Sequence, residues 1–131
     1  MEQDAGQTKQ RVLLAEDDEA IRRTLQSLLE LKGFDVKFAE DTPSTIDLLR
    51  DHDFDLLISD YLMPGGGGRE ILRYLREAGK DPAVIMITGL ADEQLFLELT
   101  SSGVDRCLSK PFRLASLIET IREIMAEREQ A

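Results

Sequence analysis

The sequence holds a single cysteine, Cys107, in 131 residues. A lone thiol has no internal disulfide partner, so the fold must rest on its core, and a reducing, cytoplasmic setting is expected. No apolar run approaches the roughly 20 residues that cross a bilayer. The opening stretch MEQDAGQTKQ has no apolar centre of the kind a signal peptide needs, and no membrane partner is expected. Positive charge is scarce: 16 Lys+Arg stand against 26 Asp+Glu, for a formal net charge of −10. A phosphodiester backbone requires a basic face, so this balance argues against direct nucleic-acid binding. Arg22, Arg23, Arg69, Arg73, Arg76 and Lys80 are scattered and read as solvated helix faces. Repeats and low-complexity segments are also missing, apart from the glycine run Gly65–Gly68.

What the chain does have is 42% hydrophobic residues, arranged with a clear rhythm. Its length suits one compact domain. Residues 1–10 read as a tail, 11–127 as the domain and 128–131 as a second tail. Arg11–Ala15, Asp55–Ser59 and Ala83–Thr88 are short apolar runs without alternation, as in strands buried on both faces. Phe34, Val36 and Phe38 alternate with Asp35 and Lys37, which fits a strand near a sheet edge. Val104–Ser109 is a fifth, weaker strand. Helical spacing appears between the strands: Ile21, Leu25, Leu28 and Leu29 in the first helix, ended by Gly33; Ile46, Leu48 and Leu49 in the second, with Thr42 as its cap and Pro43 at its first position; Ile71, Leu72 and Leu75 in Arg69–Ala78; Leu95, Phe96 and Leu99 in Ala91–Ser102; and Leu117, Ile118, Ile121 and Ile124 in the last. Five strands alternating with five helices predict an α/β fold, a doubly wound, flavodoxin-like parallel sheet in the order 2-1-3-4-5.

In such a sheet, ligands bind beyond the carboxyl ends of the strands, where the order reverses. The first strand ends in Glu16-Asp17, the third in Asp60, the fourth in Thr88-Gly89 and the fifth in Lys110-Pro111. Carboxylates converging there repel one another unless a hard divalent cation joins them, and oxygen donors with spare coordination suit Mg²⁺. Lys110 adds a point charge and Thr88 a hydroxyl. Backbone N–H groups at Tyr61 and Gly89 are expected to complete a phosphate cradle. Nucleophilic carboxylate, metal, amine and hydroxyl together are equipment for phosphoryl transfer onto Asp60. Taken singly, each motif has a plainer reading: Glu16–Glu19 as a charged helix start, Asp60 as a turn acid, Lys110 as a surface charge, Cys107 as a small core residue, the glycines as a mobile turn. His52 reads as solvated and remote.

VLLAEDD, DLLISDYLMPGGGG, VIMITG and SKPF, in that order and spacing from Arg11 to Glu127, resemble the receiver domains of two-component response regulators, of the chemotaxis-regulator type. The resemblance implies that Asp60 is the phosphoacceptor and that Glu16 and Asp17 are the acidic pair of the Mg²⁺ site, with Asp17 the more direct ligand. It implies that Leu62 lends its backbone carbonyl to the metal, and that Lys110 and Thr88 contact the phosphoryl group. The donor would be a histidine kinase or histidine phosphotransfer protein. The reader would be a downstream effector or output domain, docking on the face built from the fourth helix, fifth strand and fifth helix, or a homodimer through that face. Such a chain would catalyse its own phosphorylation and dephosphorylation while serving as a signalling protein. One departure stands out: the switch aromatic that partners the threonine is replaced by Cys107. Leu62 and Leu90 occupy positions that tune hydrolysis, and neither can orient water, so a slow loss of phosphate is expected. A phosphorylation-independent scaffold is the alternative. An FMN-binding protein fits poorly, because the loop after the first strand is acidic. Aspartyl phosphatases usually place the nucleophile after the first strand.

Overall fold

The computed structural model describes residues 9–90 and 92–130. The elements are β1 (Arg11–Ala15), α1 (Glu19–Leu31), β2 (Asp35–Ala39), α2 (Thr42–Asp51), β3 (Leu56–Asp60), α3 (Gly67–Ala78), β4 (Ala83–Thr88), α4 (Glu93–Ser101), β5 (Arg106–Ser109) and α5 (Leu114–Gln130). All strand pairs are parallel, in the order β2-β1-β3-β4-β5. This is the flavodoxin-like architecture expected, with β2 at an edge.

The period of two along each strand divides the core into two layers. Val12, Leu14, Leu56, Ile58, Ile85 and Ile87 face one side and pack against Leu25 and Leu29 of α1 and Leu117, Ile121 and Ile124 of α5. Leu13, Ala15, Leu57, Val84 and Met86 face the other and pack against Leu49 of α2, Ile71 and Leu75 of α3, and Leu95 and Leu99 of α4. Full burial of one such side chain contributes about 1.5–3 kcal/mol, so β1, β3 and β4, buried on both faces, fix where their downstream ends lie. On edge strand β2, Phe38 stays partly exposed; the Arg22 guanidinium of α1 covers its ring at 4.5 Å.

Several boundaries differ from the sequence reading. The cap of α2 is Asp41, whose side chain accepts from Ser44 N at 2.8 Å, and Thr42 is already helical. Helix α3 starts two residues early, within the glycine run. Helix α4 starts at Glu93, capped by Asp92; Ala91 lies outside the described residues. Strand β5 starts at Arg106, because Val104 N donates to Leu99 O to close α4. The expected 128–131 tail instead extends α5 to Gln130. There Arg128 donates to the carbonyls of Asp81 and Pro82 and pairs with Asp105 at 3.3 Å. Residues 1–8 of the expected leading tail lie outside the described residues.

Candidate functional site

At the end of β1, Glu16 N donates to Ala39 O and so carries the ladder one residue past the strand. That pulls the Glu16 side chain inward until it is 1% exposed. A buried carboxylate needs partners. Glu16 accepts from Asp18 N at 3.1 Å, and its other oxygen lies 3.5 Å from Lys110 Nζ. Burial pushes its pKa above the ordinary carboxyl value and the neighbouring Asp60 charge adds to this, against the Asp18 N–H and the Lys110 amine. Glu16 is therefore no helix-start acid; that place belongs to Asp18, which caps α1 by accepting from Ile21 N.

Asp60 closes β3 and is 8% exposed. Its Oδ2 accepts from Lys110 Nζ at 2.7 Å and its Oδ1 from Leu62 N at 3.2 Å. Lys110 is set by the last ladder bond beyond β5, Lys110 N to Thr88 O. Burial alone would lower the Lys110 pKa, but its hydrogen bond to Asp60 and the charges of Asp60 and Glu16 outweigh that and raise it. The amine is thus a fixed cation at neutral pH.

Glu16, Asp17 and Asp60 each offer an oxygen, all within 4.8 Å of one another. At that separation two like charges repel by about 3 kcal/mol at an effective dielectric near 20. One amine against three carboxylates leaves two formal negative charges. A hard divalent cation such as Mg²⁺ matches both that charge and the all-oxygen donor set. Glu16, Asp17 and Asp60, reached from two adjacent strands, are the residues that would hold it.

The other expected site residues divide. Thr88 is buried at the end of β4, and its Oγ1 accepts from Leu90 N at 3.0 Å. Gly89 is exposed, and an added Cβ would meet nothing within 4 Å, so packing does not demand glycine there. Tyr61 requires a correction. Its N–H donates to Ile87 O at 2.7 Å, within the sheet, and so is not available to a phosphate. The amide turned toward Asp60 is that of the next residue, Leu62, because the chain leaves the ladder after Tyr61. Sequence reasoning had no signal for this, since an amide's direction leaves no mark on residue type. The Tyr61 side chain looks away from the carboxylates: its hydroxyl accepts from Arg69 Nε at 2.6 Å, and Arg69 continues to Glu98 of α4 at 3.0 Å. Cys107 pairs in register with Met86 and packs against the α2–α3–α4 layer; burial raises its thiol pKa. Leu62 is 58% exposed and Leu90 45%, both at the rim. His52 lies at the opposite end of the sheet, beside Arg11 and Phe54.

The model of the response regulator receiver domain matches residues 12–122 of this chain. The transcriptional regulatory protein CpxR of Escherichia coli (strain K12) is 40% identical over 118 residues, covering 88% of this chain and 49% of that protein. The response regulator MprA of Mycobacterium sp. (strain KMS) is 30% identical over 115 residues, covering 88% and 50%. The chain thus spans about half the length of these curated relatives. Among solved structures, a CheY-like receiver domain protein from Methanospirillum hungatei JF-1 superposes with a TM-score of 0.86 at 27% identity, covering 94% of this chain and 98% of that one. The receiver domain of the Francisella response regulator 1452 gives 0.84 at 28%, covering 94% and 100%.

Proposed function

Because the chain belongs to the response regulator receiver domain family, we propose that it is a phosphorylation switch whose acceptor is Asp60. The observation that carries this reading is the contact set of one buried carboxylate: Asp60 is bound by an amine and an amide and shares a 4.8 Å cluster with Glu16 and Asp17.

One oxygen of Asp60 attacks the phosphorus of a phosphohistidine. The new O–P bond forms as the P–N bond breaks, and the imidazole leaves with its electron pair. Bound Mg²⁺ supplies neutralisation of the charge on the phosphoryl oxygens. Lys110 gives up part of its contact with Asp60 Oδ2 and pairs with a phosphoryl oxygen. The Leu62 N–H, already aimed at Asp60, donates to another, and Thr88 and the Gly89 amide lie at the neighbouring strand end. Phosphorylation adds about −1.5 to −2 charges at neutral pH. That charge draws on Thr88 and biases the loop after β4, and with it the α4–β5–α5 face, toward a partner-binding state. An apolar groove of about 510 Å³, lined by Ile21, Leu25, Phe112 and Leu114, opens beside Lys110 between α1 and the β5–α5 connection. It suits the helix of a protein that delivers the phosphohistidine. Output domain, effector and any homodimer through α4–β5–α5 belong to the same proposal.

Incubation with acetyl phosphate and Mg²⁺ followed by intact-mass spectrometry tests the reading. Wild type gains one phosphoryl group and Asp60→Asn gains none; an unmodified wild type, or an equal gain in Asp60→Asn, overturns it. A chase of the same sample measures lifetime. Exposed Leu62 and Leu90 offer no group to orient water, so release takes minutes or longer, and Leu62→Asn shortens it several-fold. The competing scaffold reading draws on Cys107, which leaves Thr88 without an aromatic partner. It requires the same partner affinity with and without beryllofluoride.

A further inference from the structure

The loop between β3 and α3 places the Leu62 amide on Asp60, yet its glycines bring no side chains to hold it. The cap of α3 is Gly66, with left-handed backbone (φ 119°) and no side-chain hydrogen bond. The loop is tied at its base by Tyr61 N to Ile87 O and by Gly68 N to Tyr61 O, and Met63 is sunk in the core. Apart from the Leu62 amide on Asp60 itself, the polar ties in between come from another helix, and both from one residue. Thr42 N donates to Pro64 O at 2.9 Å, and Thr42 Oγ1 accepts from Gly67 N at 2.8 Å. Gly65 and Gly66 are thereby spanned by the backbone and the side chain of Thr42. The fit is close: a Cβ on Gly65 would lie 2.6 Å from Pro43 Cδ and 3.2 Å from Thr42 Cβ. The hydroxyl is not needed by α2 itself, which Asp41 caps. Thr42 is 1% exposed, so water does not replace the acceptor it gives Gly67.

We propose that Thr42 is a positioning residue for the Asp60 site. It fixes the path of residues 62–67 from outside, and so the direction of the Leu62 N–H and carbonyl. It acts through the loop and touches neither the carboxylates nor a phosphoryl group. The inference rests on the reading of Asp60 as acceptor for its consequence in rate, but its geometric half stands without it.

Thr42→Val removes the acceptor and keeps the branched shape; Thr42→Ser keeps the acceptor. Thr45→Val is the control. Thr45 is also buried in α2, and its hydroxyl donates to Asp41 O at 2.7 Å, away from the loop. In metal-free protein, Thr42→Val speeds hydrogen exchange at the Gly67 amide about tenfold, the scale of one lost hydrogen bond, and shifts the Leu62 amide resonance. With acetyl phosphate and saturating Mg²⁺, its rate of mass gain falls about tenfold. Thr42→Ser restores both within about twofold, and Thr45→Val moves neither, whatever its loss of Tm. An unshifted Leu62 amide in Thr42→Val, or a serine variant as impaired as the valine, overturns the proposal. So does a Thr45→Val effect of equal size. Thr42→Ala carries the same contrast if the valine variant fails to fold, and loss of folding in both with serine intact assigns Thr42 a structural role only. If wild type takes no phosphate, the acceptor reading fails, while the exchange and resonance arms still decide Thr42.

Discussion

Glu16 shows how a single residue reveals its role through burial. An acid 1% exposed is costly unless something binds it, and here its pKa is raised, chiefly by burial. A raised folded-state pKa means that the proton stabilises the fold. That stabilisation is fully present below the ordinary value of 4.5 and is lost as pH rises through the raised value. Asp41 works in the opposite sense: its carboxyl is held low, first by the Ser44 N–H. Comparing wild type with Glu16→Gln isolates the one group. In metal-free protein the glutamine variant lacks this part of the pH dependence and is the more stable of the two at neutral pH; thermal melts across pH 4 to 8 measure it. If Mg²⁺ binds as proposed, the same variant loses most of the stabilisation that Mg²⁺ adds to wild type. At this scale the sequence was informative where side chains make up the cluster. Glu16, Asp17, Asp60 and Lys110 could be placed by strand-end logic alone. It was silent on the backbone: the sheet takes up the Tyr61 amide, which leaves the Leu62 amide next to Asp60.

Among the elements, helix α3 departs most from its sequence signal. Its pattern of Ile71, Leu72 and Leu75 predicts a start near Arg69, and the four glycines before it read as a loose turn. Gly67 and Gly68 are instead buried in its first turn. Gly67 has φ 73° and a Cβ there would run into the Tyr61 carbonyl; on Gly68 it would lie 2.8 Å from Met86 Sδ. Gly67→Ala therefore combines a left-handed backbone with a backbone clash, and lowers stability by more than about 1 kcal/mol. Gly89→Ala meets open space and is tolerated to within about 0.5 kcal/mol; urea melts of the two variants give the comparison, and equal losses would contradict it. Propensity cannot distinguish a glycine that permits motion from one that permits contact. The helices with ordinary apolar spacing, α1 and α5, were readable, because Leu25 and Leu29, or Leu117 and Ile121, fall where a period of 3.6 puts them. The strap Tyr61–Arg69–Glu98, which joins the residue after Asp60 to α4, was unreadable, since it links positions distant in sequence across exposed surface.

For the molecule as a whole, the excess of acid sets the response to salt. A formal net charge of −10 acts over distances that a low-salt medium leaves unscreened. Local pairs such as Arg23–Glu19 at 2.7 Å and Arg50–Asp47 at 2.8 Å are exposed and worth about 0–1 kcal/mol each. Long-range repulsion outweighs them, so raising NaCl from about 10 to 150 mM, which shortens the screening length from about 30 to 8 Å, raises Tm by a few degrees. A calorimetric series at fixed pH checks this, and a fall would mean that the ion pairs dominate. The strand order was legible because only β2 alternates, which sends it to an edge. The far end of α5 was not, because Arg128 is held there by Asp81, Pro82 and Asp105, contacts that no local pattern announces.

Lys110 enters the cluster from the last strand, some 50 residues after Asp60. On the ribosome, where chains emerge amino end first, the acids of β1 and β3 are made well before their counter-amine. A nascent chain arrested after β4 has the three carboxylates of the cluster but not Lys110, so the acids stay without their counter-amine until the end of β5 is made. A fragment that stops before Lys110 therefore carries the acids without the amine that binds Asp60.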